Sequence, residues 1–477
     1  MLLRTWRQRM RCIVEVVRPN ALRGGMRARL PSPQPSLEAL EDRTLPSASP
    51  VGDVFVILME NHNWTQPSSY TAVPQVQGNP SAPYINNTLT KVGAFANNYE
   101  NAGPGVHPSE PNYIWLEAGS NLGVTNDNDP TNPANHFNAP NFTQQLDNAG
   151  ISWKSYQEDI DLDATGHLLP PSQWTVPLSS TSGTRSDGTQ WNYAPKHNPD
   201  VFFDNNIGAT AANGFTPNPH DPFGIAHNQP LQQFYQDLLS GSVGKFNYIT
   251  PNQYNDMHSL RNGSTDLIAQ GDNWLAANVP IIMASPEYKH NGVIMVVWDE
   301  TEGGDTSQYT IPFFLISPLA KAGYSNSALY THSSVLKTLE EIEGVGNLGG
   351  AGGASVAAAN DLSNLFVPGV LTPSTLEGTV FKNAGHDDKG VAGETVLLTG
   401  TNDANQFVRL TTKTGADGSY AFTGLLPGTY DVTVDDVKGA RNIKLGVDQT
   451  LTGVDLFLHG HHGNKHDDGD GDGGFDF

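Results

Sequence analysis

Four apolar runs stand out along the chain: Val54–Met59, residues 245–250, Val293–Trp298 and residues 311–316. Each is rich in β-branched or aromatic residues and too short for an ordinary helix, which predicts buried strands. Between them the period changes. Val335, Leu336, Leu339 and Ile342 recur at helical spacing behind Ser333 or Ser334 as N-cap, and Phe234, Leu238 and Leu239 form a second short stripe. Strands alternating with helices predict an α/β domain over residues 51–370, built on a mostly parallel sheet. After a linker at Leu371-Thr372-Pro373-Ser374 the period drops to two. Thr395-Val396-Leu397-Leu398, residues 414–422 and residues 426–434 are separated by Asp417-Gly418 and Pro427-Gly428 turns. That pattern predicts a small all-β sandwich over residues 371–458.

Charge narrows the function. The 477 residues carry 49 acids and 26 bases, a net of −23. A surface of that sign repels phosphate backbones, so nucleic acid is excluded as a binding partner. One cysteine, Cys12, leaves no disulfide framework and no cysteine zinc site. No run approaches the ~20 apolar residues of a transmembrane span. The charge is also uneven: residues 1–50 hold nine Arg against four acids, a net of +5 that leaves −28 on the rest. A basic head on an acidic body reads as an export leader without fixed structure. It lacks an orthodox secretory core, because Cys12-Ile13-Val14 is broken at once by Glu15. Leu37-Glu38-Ala39-Leu40-Glu41-Asp42-Arg43 resembles a segment near the start of many exported proteins of planctomycete-type bacteria, which implies a periplasmic, extracellular or cell-surface location. The tail, residues 459–477, holds four His and five Asp among glycines and has no apolar content for a core.

The residues directly after three of the predicted strands carry the chemistry. The first strand ends in Glu60-Asn61-His62, the second runs into residues 251–258 with Asp256 and His258, and the third ends in Asp299-Glu300. Ligands of open parallel sheets sit beyond the carboxyl ends of the strands. Oxygen ligands with some imidazole suit Ca²⁺, Mg²⁺, Mn²⁺ or Zn²⁺. Polar residues also end strands for no further reason, so each pair alone says little. Ser109 stands where a helix begins, with Pro111 in its first turn. It is either a simple N-cap or a hydroxyl facing the positive end of the helix, where a phosphate would bind. His62 is either a loop residue or a substrate contact, and the same choice holds for His107. Glu158-Asp159 reads as a solvated strand end.

Taken in order, the motifs are strand-Glu60-Asn61, Pro108-Ser109-Glu110-Pro111-Asn112, Lys196-His197-Asn198-Pro199, residues 251–258, Trp298-Asp299-Glu300 and Tyr330-Thr331-His332-Ser333. This order resembles the bacterial phosphoesterase family, which includes acid phosphatases and phosphatidylcholine-type phospholipases C within the alkaline-phosphatase-like superfamily. The resemblance implies a doubly wound sheet and a hydroxyl nucleophile, Ser109, that forms a phosphoseryl intermediate. It implies Glu60, Asn61, Asp299 and Glu300 as metal-binding groups. It places His197, Asp256, His258 and His332 on the phosphate side, the last three as holders of a second ion in two-metal relatives. Asn112 would help neutralise the phosphoryl oxygens, and His258 or His197 would protonate the leaving oxygen. Tyr113 stands where the phospholipases have Arg, which favours small phosphate esters over phospholipid. A phospholipase-type diesterase and a non-catalytic surface protein on the same fold remain as alternatives. "DGSYAFTGLLPGTYDVTV" resembles the SdrD-type B repeats of bacterial surface proteins and the carboxypeptidase regulatory-like module, which implies a spacer or cell-surface contacts.

Overall fold

A computed structural model describes residues 49–103, 106–302, 309–348, 356–382, 389–434 and 437–458. The expected leader up to residue 48 and the 459–477 tail lie outside the described residues. Eight strands make the main sheet. They are β1 (Val54–Met59), β2 (Ala94–Ala96), β3 (Trp153–Gln157), β4 (Asn228–Pro230), β5 (Phe246–Thr250), β6 (Val293–Trp298), β7 (Phe313–Ile316) and β8 (Ser325–Asn326). Their order is β8-β2-β7-β6-β1-β5-β3-β4. From β6 to β4 all neighbours are parallel, whereas β7 runs antiparallel to both β6 and β2. The sheet is therefore mixed with mostly parallel strands. β1 is its centre. It is flanked in register by β5 and β6 and is no more than 1% exposed at any residue, which is why it reads as an unbroken apolar run.

All four predicted strands are present, with the fourth shortened to begin after Pro312. β3 is the strand whose end Glu158-Asp159 marks. Trp153-Lys154-Ser155-Tyr156-Gln157 has a polar pattern, yet Ser155 and Gln157 are buried and hydrogen-bonded to Asn198 and Thr250. Helix α1 (Ser109–Ala118) starts at the predicted place. In α2 (Leu231–Ser240), Phe234 and Leu238 face the core, but Leu239 is 85% exposed, so the expected stripe is one residue too wide. Helix α3 (Leu267–Ala284) follows β5, and α4 (His332–Glu343) is capped by Thr331 with Ser334 in a reciprocal box, not by Ser333 or Ser334 alone.

Beyond Val370, two sheets face each other. One pairs Ser374–Lys382 with Ser419–Leu425; the other runs Phe407–Lys413, Thr395–Asn402, Gly428–Val434, Val437–Leu445 with antiparallel neighbours. Leu376, Val380, Val396, Leu398, Phe422 and Val432 fill the space between them. Leu426 leaves this core and packs with Val370 in the core of the α/β region. No helix among the described residues is long and apolar enough to cross a membrane.

Candidate active site

The carboxyl ends of β1, β5 and β6 meet at one edge. The Glu60 N–H donates to the Asp256 carbonyl at 2.8 Å, and the Asp299 N–H donates to the Met59 carbonyl at 3.1 Å. Asn61 turns the chain with φ +26°, a left-handed backbone that asparagine tolerates better than most residues. That turn points its N–H at Asp299 Oδ1, 2.9 Å away, and its side-chain amide donates to Glu300 Oε1 at 3.3 Å. Into this group comes Ser109, the first residue of α1. Its hydroxyl does not cap the helix. It donates to Glu60 Oε2 at 2.9 Å and lies 3.4 Å from Asn61 Oδ1, and the residue is 1% exposed. The structure thus brings Ser109, Glu60, Asn61, Asp299 and Glu300 together, as the motif order implied.

His197 is held between two acids. Its Nδ1 lies 3.0 Å from Asp256 Oδ2, and its Nε2 lies 3.0 Å from Glu60 Oε1 in a geometry that makes no hydrogen bond. The Tyr113 ring stacks on it at 5.3 Å. His107 pairs with Glu300 through Nδ1; its side chain is 32% exposed, although its Nε2 is enclosed. Burial dominates the electrostatics. It raises the pKa of Glu60 and Glu300 and, with Glu60 and Glu300 as neighbours, lifts Asp299 well above the carboxylate range. Asp256 is pushed up to about 6, and burial lowers His197 and brings His258 down to about 4.

Three expectations change. Asp256 is not a free ligand: Oδ2 orients His197 and Oδ1 accepts the His258 N–H at 2.8 Å. His332 stands behind the site. Nδ1 meets the Tyr99 hydroxyl at 2.8 Å and Nε2 meets the Asp299 carbonyl at 2.6 Å, so both ring nitrogens are engaged within the protein. Asn112 turns its amide to Glu300 Oε2 at 3.2 Å and the Val106 carbonyl at 3.0 Å, which makes it a brace of Glu300 and not a phosphoryl contact. Asp256, His258 and His332 therefore do not form a separate set; His258 joins Glu60 and His197. His62 reaches the rim. Its Nδ1 lies 3.3 Å from the Glu60 carbonyl, and burial lowers its pKa to about 4.

Sequence reasoning passed over Lys196 and Asp127. The Lys196 ammonium donates to Asp127 Oδ2 at 3.0 Å and lies 3.2 Å from His258 Nε2. Burial opposes its charge, but Glu60 and Asp127 outweigh that and raise its pKa. Its signal was its place directly before His197; Asp127 had none. Glu158 also departs from the solvated strand end. It is half-buried, accepts the Asn252 N–H at 2.9 Å, and takes the Asn255 amide on both oxygens, which fixes the loop that carries Asp256 and His258.

The donor set fits a divalent cation. Glu60 Oε1, Asp299 Oδ2 and His197 Nε2 are buried side-chain atoms with no hydrogen-bond partner. Ligand atoms of Glu60, His197 and His258 lie within 4.8 Å of one another. Buried polar atoms ordinarily find a partner, and two carboxylate oxygens with imidazole nitrogens match a hard to borderline ion.

The chain is similar to known phosphatases. A phosphatidylinositol-3-phosphatase of Mycobacterium tuberculosis is 32% identical over 267 residues, 56% of this chain and 71% of its own length. A phosphate-repressible acid phosphatase of Penicillium chrysogenum is 28% identical over 257 residues, 53% of this chain and 52% of its own. An acid phosphatase of Aspergillus niger is 26% identical over 255 residues, covering 53% and 52%. The chain spans about half the length of the acid phosphatases it matches. Among solved structures, a lipoteichoic acid synthase from Listeria monocytogenes is 12% identical with a TM-score of 0.37 over 67% of this chain and 78% of that one. The SdrD B-like domain matches residues 381–452. The Phosphoesterase family matches residues 59–346, and the chain belongs to that family of hydrolases acting on phosphoric ester bonds.

Proposed function

We propose that the protein is an exported, metal-dependent phosphatase of small phosphate esters, with Ser109 as nucleophile. The observation that carries this is the Ser109 hydroxyl. It sits at a helix N-terminus, hydrogen-bonded to Glu60, at the edge where three parallel strands deliver Glu60, Asp256 and Asp299. Glu60, Asp299, His197 and His258 would hold the cation, with Asn61 and Glu300 beside them. When bound, that ion supplies the positive charge that lowers the pKa of a nearby hydroxyl and offsets charge on the phosphoryl oxygens.

The chain's own groups do the rest. Glu60 Oε2 is the acceptor for the Ser109 proton. Ser109 Oγ attacks phosphorus, the Oγ–P bond forms and the ester P–O bond breaks on the opposite side. Lys196 and the first turn of α1 offset charge on the phosphoryl group. The leaving oxygen takes its proton from His107, the imidazole held by Glu300, and not from His197, which stands between Glu60 and Asp256. Water then cleaves the phosphoserine and frees phosphate and Ser109. We extend the proposal to the layout: a leader over 1–50, a doubly wound catalytic domain over 51–370, and a sandwich over 371–458 that makes cell-surface contacts.

The test is hydrolysis of an aryl phosphate by wild type and Ser109→Ala, each with and without chelator, plus acid quench and mass spectrometry for phosphate on Ser109. Chelator-sensitive turnover with a phosphorylated Ser109 peptide is the expected result. Turnover that survives Ser109→Ala overturns the nucleophile.

A further inference from the structure

A cavity of about 370 Å³, within the range of pockets that take small ligands, opens among the strand-end loops. Its walls follow a simple rule. Glu60, His258 and Glu300 belong to three different strand-end loops, and two residues further on each loop gives the cavity a wall: His62, Leu260 and Glu302. Two residues of chain span at most about 7 Å, so three walls of the cavity stand within that backbone reach of Glu60, His258 and Glu300. It also has a polar atom to offer. His62 is 2% exposed, and its Nε2 has no hydrogen bond; the nearest acid, Glu302 Oε2, is 3.6 Å away. Asp266 and Ser81 close the far wall, joined by a 2.5 Å hydrogen bond.

The charge of this lining differs from that of the reacting centre. There Lys196 stands among the acids. Here two carboxylates, Asp266 and Glu302, line the cavity, and among the described residues no Lys or Arg does. A carboxylate or second phosphate placed between them meets like charge in a half-enclosed space, where repulsion is strong. Hydroxyls meet acceptors on both sides and the ring nitrogen of His62.

We propose that this cavity is the leaving-group subsite and that it takes hydroxylated alcohols carrying no negative charge. The proposal rests on the phosphate-ester reading and adds the substrate class to it. Glu302 is the specificity-determining residue, because it touches the alcohol and not the phosphoryl group.

Glycerol 3-phosphate and 3-phosphoglycerate test it, since they differ by a hydroxymethyl group against a carboxylate. Wild type is expected to favour glycerol 3-phosphate by about tenfold or more in kcat/KM, mostly through KM. Glu302→Lys is expected to bring the ratio to about one or invert it, and Glu302→Gln to fall between, each read against the same variant's rate on methyl phosphate, which leaves the cavity empty. A wild-type ratio near one, or a ratio that neither Glu302 variant moves, overturns the subsite. Ser109→Ala separates the two ideas. Ser109-dependent turnover of methyl phosphate with an unmoved ratio sinks the subsite alone, and turnover independent of Ser109 sinks the phosphatase mechanism.

Discussion

Asp299 and Asp417 are the same side chain in opposite surroundings. Asp417, in a turn of the sandwich, is exposed and accepts the N–H and hydroxyl of Ser419 at 3.0 and 2.6 Å; those hydrogen bonds lower its pKa. Asp299, at the end of β6, is buried with one oxygen unpartnered and two acids as neighbours, and its pKa is raised. The sandwich acid holds a turn. The sheet acid has one oxygen on the Asn61 N–H and the other on nothing, an arrangement that a bound cation or substrate would complete. The same contrast runs through the two regions. Among the described residues the sandwich leaves no buried side-chain polar atom without a partner, and the β1–β6 edge leaves Glu60 Oε1 and Asp299 Oδ2 without one.

Four experiments probe that contrast. The largest expected effect is from Ser109→Ala, which should lower kcat on an aryl phosphate by about 10⁴-fold or more while leaving the folded state intact by circular dichroism. Next is Glu60→Gln. It should lower activity by about a hundredfold or more and yet make chelated protein more stable by about 0.5–2 kcal/mol in urea titration, because it relieves a crowded buried charge. A loss of stability there would mean the edge is already satisfied. Third is pH. Burial raises Glu110 and Glu117 to about 8. The folded state therefore holds protons that the unfolded chain releases near pH 4, so this stability is full below about pH 4 and is lost as pH rises to about 8. The melting temperature of chelated protein should fall across that window, and Glu117→Gln should flatten the slope. Smallest is Tyr430→Phe in the sandwich, which removes a buried hydrogen bond to the Leu426 carbonyl. It should cost about 1 kcal/mol and leave kcat/KM unchanged.

The strand ends were legible because a buried apolar run with acids directly after it is a local pattern. Ser109 was legible only as a choice between cap and nucleophile; the partner that decides it, Glu60, is 49 residues away. His332 was placed in the site by motif order, but its duty is fixed by Tyr99 and the Asp299 carbonyl, which no spacing reveals. Asp127 has the same difficulty, since its contact with Lys196 spans 69 residues. Glu158 was misjudged because acids after a short strand usually meet water. Here Asn252 and Asn255 fold back and replace the water. Leu239 erred the other way, being apolar at helical spacing but just past the edge of the buried face.

Leu426 sits at the tip of a turn between two sandwich strands, buried at 4% exposure among the side chains of the larger core, while Gln406 reaches Asn291 at 3.0 Å nearby. A module fastened by a plug of this kind does not swing as a bead on a string would. The sandwich therefore meets the α/β region at one bearing, and cutting the chain near residue 370 would leave a hole in the larger core as well as freeing the module.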